Sequence, residues 1–460
     1  MTATVDAPLL DSGRAAPATT EAPAPTVPLV GRAYRSYALT VLMLIYVLNF
    51  LDRQVVAILA EPIKRDLGLA DWQLGMMTGL AFAVLYTLLG IPIARFAERA
   101  NRPLIIAGSV FVWSGFTMVC GMAQNFAQLV AARIGVGVGE AGCTPPALSL
   151  IADYTPREKR ASAIAFYMLG APVGGILGMA IGGVIADHWG WRAAFLVVGA
   201  PGLLFALISA ATLVEPRKRL KAALAAQAEA APTFRETLRE LARKRAYWIL
   251  ISAVTIKAFV SYGATAFMGS FFFRNHGEAL AEVGARFGLK SAGFLGIALG
   301  IVTGGTAVVG TLLGGRLADH FAAKDARALA TIPALGAAIS VPFSILGLMS
   351  PDMVTAMCIL AVPALFNSLW SGPSYAAIQG LVQPRSRATA TAILLFVANL
   401  IGLGAGPLGV GLVSDIISGG LGLGGAEGVR WSLICWVSLG LPCAGLFWAA
   451  RRTLREEMVS

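Results

Sequence analysis

Long apolar runs alternate with short polar or basic breaks along the whole chain, and the runs are long enough to cross a bilayer. A spanning helix needs about 20 mostly apolar residues. Twelve stretches of that kind are read at 37–60, 72–94, 103–123, 127–151, 161–186, 193–214, 246–272, 291–317, 328–350, 353–381, 388–413 and 431–450. They predict an all-α membrane protein with twelve transmembrane helices in two six-helix bundles. Residues 1–35, rich in Ala, Pro and Thr, bury too little apolar surface to order themselves and are expected to form a disordered cytoplasmic tail. The first bundle is assigned to 36–215 and the second to 246–452, with a closing cytoplasmic tail at 453–460. Between the bundles, 216–245 reads as a cytoplasmic linker with an amphipathic helix at TFRETLRELARK.

Composition agrees with lipid as the solvent: 57% of residues are hydrophobic and 13% charged, against roughly a quarter charged in a soluble domain. The net charge of +11 does not point to nucleic acid. Most of the 36 Lys and Arg fall on the side that would hold the tail and the linker, which is the bias expected of loops left in the cytoplasm. The five cysteines lie within predicted spans without paired spacing, so buried free thiols are expected and no metal site. The histidines, His188, His276 and His320, all lie away from span centres, and no HExxH or GxSxG occurs. Neither an enzyme nor a cofactor is expected.

An internal repeat supports the division into halves. TPREKRASA opens the fifth span and QPRSRATA the eleventh, and Pro156 stands as far from Asp187 as Pro384 from Asp415. The second span closes on ARFAER and the eighth on GRLADH. Such repeats are a common way of building transporters.

Four charges interrupt the first half. Asp52 and Arg53 lie inside the first span, in NFLDRQV, and Arg133 and Glu140 inside the fourth. A charge at mid-membrane costs at least about 2.5 kcal/mol and persists only facing protein or water, normally with a partner. Adjacent helical residues point about 100° apart, so Asp52 and Arg53 each need company from another helix. Arg133 and Glu140, seven residues apart, lie within about 20° of one face of theirs. Two acids and two bases sum to zero, so the four are expected to form one network lining an internal cavity. Its use would be proton coupling: when one carboxylate takes a proton, its arginine is released and can pair elsewhere. A static network that only fixes helix packing is the competing reading. In the seventh span Lys257 is the only charge and has no acidic neighbour at membrane depth. It is read as an anchor for an anionic substrate group, with snorkelling as the alternative, and Phe259, Tyr262, Phe267 and Phe271–Phe273 beside it could pack an acyl chain.

Glycine ridges at Gly170, Gly174, Gly178 and Gly182, and at Gly296, Gly300 and Gly304, are expected to let helices approach closely. GVGVGE from Gly135 follows no strand, so a dinucleotide loop is excluded. Pro145 and Pro146 are expected to kink the fourth span just past Glu140.

Twelve spans, a basic central loop and the signatures after spans two and eight resemble the major facilitator superfamily of secondary transporters, over 36–452. The first signature departs from the usual form at Ala94, Glu98 and Asn101, and the second at His320. The resemblance implies gating roles for Glu98, Arg99, Arg102 and Asp319. Within the superfamily, NFLDRQV and RIGVGVGEAGCTPPALSLIADYTPREKR resemble the Spinster branch at Asp52, Arg53, Arg133, Gly139, Glu140, Ala141, Asp153 and Arg160. Animal members of that branch carry sphingosine phosphate or lysolipids. The resemblance implies a monomeric, proton-coupled carrier of a lipid-like amphiphile, with Asp52 and Glu140 as proton sensors and Arg53, Arg133 and Lys257 as ion-pair partners or substrate contacts. A bacterial inner membrane is expected from the Ala, Gly and Arg bias. Export of drugs or other small organic solutes on the same fold is the alternative.

Overall fold

A computed structural model of the chain describes residues 30–156, 159–216, 234–383 and 386–458. The expected tail up to residue 29, linker residues 217–233, and Arg157, Pro384 and Arg385 of the repeat lie outside the described residues, as do the side chains of Glu98 and Arg99.

Among the described residues twelve helices cross the apolar layer, and these residues are helical throughout apart from turns. In the first bundle they are α1 (Arg32–Leu67), α2 (Asp71–Ala97), α3 (Arg102–Met122), α4 (126–154), α5 (162–189) and α6 (191–212). The second bundle holds α7 (Arg245–Asn275), α8 (Ser291–Ala322), α9 (Ala328–Met349), α10 (Met353–Gly380), α11 (Thr389–Gly420) and α12 (Gly424–Glu457). Two short helices lie outside these: Phe234–Ala242 in the linker, within the expected amphipathic stretch, and Gly277–Arg286 between α7 and α8.

Two interruptions have local causes. Helix α4 stops at Glu140 and restarts at Thr144, because Pro145 and Pro146 have no N–H to continue the ladder and fit best in a first turn. The break therefore falls before the prolines, over Ala141–Cys143. Between α5 and α6 the chain turns at Gly190, whose φ of 82° and ψ of 165° suit glycine alone.

Packing within each bundle follows the small residues. Gly174 and Gly178 of α5 lie against the backbone of Val47 and Leu51 in α1, and Gly199 of α6 against Ser114 of α3. Gly135 and Gly139 of α4 seat Phe116 and Trp113, so these glycines serve helix contact. In the second bundle Gly402 and Gly406 of α11 meet Ala258 and Phe259 of α7. Large apolar side chains such as Phe111, Leu207, Leu312 and Trp448 face outward, as lipid contact requires. Cys120, Cys143 and Cys443 are buried, whereas Cys358 and Cys435 are exposed, correcting the expectation that all five thiols are enclosed. The last helix also runs further than expected, to Glu457, whose carboxylate accepts the N–H groups of Arg245 and Ala246 at the start of α7.

Contacts between the bundles are concentrated towards the face opposite the chain termini, here called the far face. There α5 packs on α8, α2 on α11 and α1 on α7. On the terminal face, the segments Thr144–Met168 of the first bundle and Thr306–Ala322 and Ser371–Val397 of the second make no extended contact across the divide among the described residues.

Candidate transport site

Helices α1 and α4 bring all four intramembrane charges of the first bundle together, as two crossed pairs. Arg53 gives its Nε and Nη2 hydrogens to the same oxygen of Glu140, at 2.8 and 2.6 Å. Arg133 Nη1 stands 3.5 Å from Asp52 Oδ2, and Thr117 of α3 donates its hydroxyl to Asp52 Oδ1 at 2.8 Å. The crossing follows from helical geometry, since Asp52 and Arg53 project about 100° apart and meet different levels of α4. Asp52, Arg133 and Glu140 are each 2% exposed or less, while the Arg53 side chain keeps 17%.

Aromatic rings complete the cluster. The Arg53 guanidinium carbon lies 4.8 Å from the Phe82 ring centre, 4.7 Å from that of Tyr86 and 5.3 Å from that of Phe50, and Arg133 lies 5.2 Å from Phe82. Phe82 thus contacts both cations, and its π faces offset part of their repulsion. Neither Phe82 nor Thr117 was legible as a partner in sequence, because an aromatic or a threonine in an apolar helix has the same pattern as core.

Although the Arg53 side chain keeps 17% exposure, the four charges do not border a partly enclosed cavity of about 290 Å³ that lies mainly within the second bundle. Its wall includes Lys257, Ser261 and Thr265 of α7, Thr303 of α8, Ser340 and Ser344 of α9 and Asn367 of α10, set among apolar groups. The cluster approaches it through α1 alone: Ala57, which lines the cavity, stands one turn on from Arg53 on the same helix face. Asp52 and Glu140 are buried, at 2% and 1% exposure, and Phe82 lies against both of their arginine partners.

Lys257 is buried on the cavity wall, and its ammonium donates to the amide oxygen of Asn367. Among the described residues it forms no ion pair, and the neutral amide satisfies one donor without cancelling the charge. Among the neighbouring aromatics Phe272 lines the cavity, while Phe267 and Phe271 are in the core.

Of the gating candidates whose side chains are described, Arg102 and Asp319 are not brought together. Arg102 is buried and tied inside its own bundle, to Asp153 at 2.7 Å, to Glu215 and to the Ser149 hydroxyl. Asp319 is exposed. Among the described residues, the α8 segment that carries Asp319 makes no extended contact with the first bundle.

The far face holds a charge network that the sequence did not disclose. Arg274, at the end of α7, pairs with Glu61 of α1 at 2.8 Å and with Asp71 of α2 at 2.7 Å, and Lys64 and Ser414 also reach Asp71. In sequence these residues read as ordinary loop charge, and their pairing depends on how the bundles dock.

The sequence profile described as Major Facilitator Superfamily matches residues 42–407. The chain belongs to the major facilitator superfamily. Within the superfamily it is Spinster-like. A crystal structure described as a bacterial homolog to the human lysosomal transporter Spinster, inward-facing and unoccupied, is similar with a TM-score of 0.83 at 33% identity, covering 94% of this chain and 100% of that one. An MFS-type efflux pump of Mycolicibacterium smegmatis is 33% identical over 423 residues, covering 92% of this chain and 94% of the pump. Protein spinster homolog 1 of Xenopus laevis is 26% identical over 401 residues, covering 85% of this chain and 76% of that protein. Superfamily membership accounts for the paired bundles: the fold is that of a transporter, with the cavity and the charge cluster in its two halves.

Proposed function

We propose that this superfamily member is a proton-coupled carrier of a single-chain, lipid-like amphiphile with an anionic headgroup. The carrying observation is the Arg53–Glu140 pair. Both hydrogens go to one carboxylate oxygen, and Glu140 Oε1 has no hydrogen-bond partner among the described residues. A proton added at Oε1 neutralises Glu140 and frees Arg53, whose side chain is the exposed edge of the cluster. Asp52, held by Arg133 and Thr117, is the second proton site. The released guanidinium then biases the bundles towards another packing, which is how a local charge change drives a two-state element.

The cavity supports the cargo. One cation with an amide and several hydroxyls, set in a mainly apolar wall, suits an anionic headgroup followed by a hydrocarbon chain. With the terminal face taken as cytoplasmic, as the basic loops argue, the far-face contacts correspond to an inward-facing state. The Mycolicibacterium smegmatis relative, named as an efflux pump, favours a second reading in which drugs or other organic solutes are exported by the same coupling.

The test is transport in proteoliposomes under an imposed pH gradient, with a labelled lysophospholipid, a labelled sphingoid phosphate and a cationic dye offered separately. Gradient-dependent movement of an anionic amphiphile supports the first reading. Movement of the dye alone replaces it with the second. Transport that ignores the gradient removes the coupling role of the cluster.

A further inference from the structure

We infer that Asp187 and Asp415 are twin latches of the far-face gate, each carried by one bundle and capping the first turn of a membrane helix in the other. Asp187, at the end of α5, accepts the N–H groups of Ala292 and Gly293 at the start of α8, at 3.2 and 2.5 Å. Asp415, near the end of α11, accepts those of Asp71 and Trp72 at the start of α2, at 3.0 and 2.7 Å. The two aspartates are the matched ends of the internal repeat, equally spaced from Pro156 and Pro384. The helices they cap are matched as well, since α2 and α8 carry the paired signatures. One device is thus built twice, with the donor and acceptor bundles exchanged.

Each latch closes over a tight seam. Gly183 of α5 faces the backbone of Ala292, and Gly293 of α8 faces Val184 and the Asp187 carboxylate. On the other side Gly411 of α11 faces the backbone of Asp71, and Gly75 of α2 that of Pro407. A side chain at these glycines would hold the helices apart, so the small residues are what bring each carboxylate within reach of the opposite helix. Lys290 adds a hydrogen bond to the Asp187 carbonyl at 2.8 Å.

The energetic logic is differential. In the closed seam the first N–H groups of α2 and α8 have no intrahelical acceptor and find one in the opposing carboxylate. A negative charge also suits the positive end of each helix. When the seam parts, water replaces the carboxylate, so the latch stabilises the closed far face and contributes little to the open one. A ligand or contact shifts an equilibrium only by such a difference between states. The inference rests on the transporter fold and is independent of the proposed cargo and coupling ion.

The experiment is pulsed electron–electron distance measurement on the full chain in nanodiscs, with exposed Cys358 and Cys435 replaced by serine. Spin labels at Trp189 and Phe287, which are 71% and 70% exposed, report the far face. Labels at Phe96 and Phe321, 64% and 48% exposed, report the terminal face. Asp187→Ala and Asp415→Ala should each raise the ratio of far-face-open to far-face-closed molecules by roughly two- to thirty-fold, the range of a lost cap. The far-face distance should lengthen while the terminal-face distance shortens, and the double variant should go further. Asp352 provides the control, because it caps its own helix at Thr355 with no partner bundle involved, so Asp352→Ala should leave both distances unchanged. Unchanged distributions in the latch variants, or an equal response from Asp352→Ala, would overturn the inference. If one latch variant fails to fold, the other makes the same test alone.

Discussion

Arg53 and Glu140 meet through a single carboxylate oxygen, which receives two guanidinium hydrogens at 2.8 and 2.6 Å while the second oxygen has no hydrogen-bond partner among the described residues. A carboxylate held this way can be protonated without first breaking its ion pair. Glu140→Gln imitates the protonated state permanently. In proteoliposomes it is expected to abolish accumulation driven by a pH gradient while sparing exchange of labelled for unlabelled substrate. Gradient-driven accumulation at the normal rate would refute the role of Glu140.

Phe82 separates two cations, so its removal should be felt in coupling as well as in stability. Phe82→Ala leaves a core void costing about 3–5 kcal/mol, measurable as a lower midpoint of thermal unfolding in detergent. Phe82→Leu keeps most of the volume but loses both cation–π contacts, each worth about 2 kcal/mol when desolvated. The leucine variant should melt closer to the parent yet show a displaced pH profile of transport. An unchanged profile would leave Phe82 with a packing role only.

For the cavity, Lys257→Met removes the buried ammonium and strands the Asn367 oxygen. A charged hydrogen bond contributes about 1.5–3 kcal/mol, so apparent affinity for an anionic amphiphile should fall roughly tenfold or more. A zwitterionic or neutral amphiphile should be much less affected. Equal loss for all cargoes would argue that Lys257 only supports the fold.

Arg102 and Asp319, both first read as gating residues, should behave differently. Arg102→Met removes a buried cation from Asp153 and Glu215, at a cost of about 3 kcal/mol, the lower end for a broken buried pair because Asp153 keeps some solvent contact. Asp319→Asn changes an exposed side chain and should shift stability by no more than about 0.5 kcal/mol. Thermal melts of the two variants make the comparison. A large loss in Asp319→Asn would point to a contact made in the resting state.

His276, in the turn that follows α7, is buried against Phe271 and Phe272. Burial, with the Arg430 charge adding to it and Asp352 opposing, holds its pKa below the ordinary histidine value. A base whose folded pKa is depressed favours the folded state while it stays neutral, and that contribution fades as pH falls below the unfolded value of about 6.5. Melting temperature should therefore drop between pH 7 and pH 5 more in the parent than in His276→Phe. Parallel pH dependence in the two would exclude His276.

The sequence by itself determined the solvent of this protein, its helices, their division into two halves and the four charges of the first bundle. Each of these follows from local chemistry: apolar length sets a span, and a charge in lipid demands a partner whatever the fold. Tertiary structure decided the partners. Only the packing of the first bundle as a whole brings Arg53 to Glu140 and Asp52 to Arg133. Only the second bundle's packing puts the cavity beside Lys257 and Asn367, away from the cluster. The aspartates closing the repeats, Asp187 and Asp415, were visible as a pattern, but their donors lie in the opposite half of the chain. Hydrogen bonds between distant segments depend on ångström-scale approach of backbones, which spacing along a sequence does not encode.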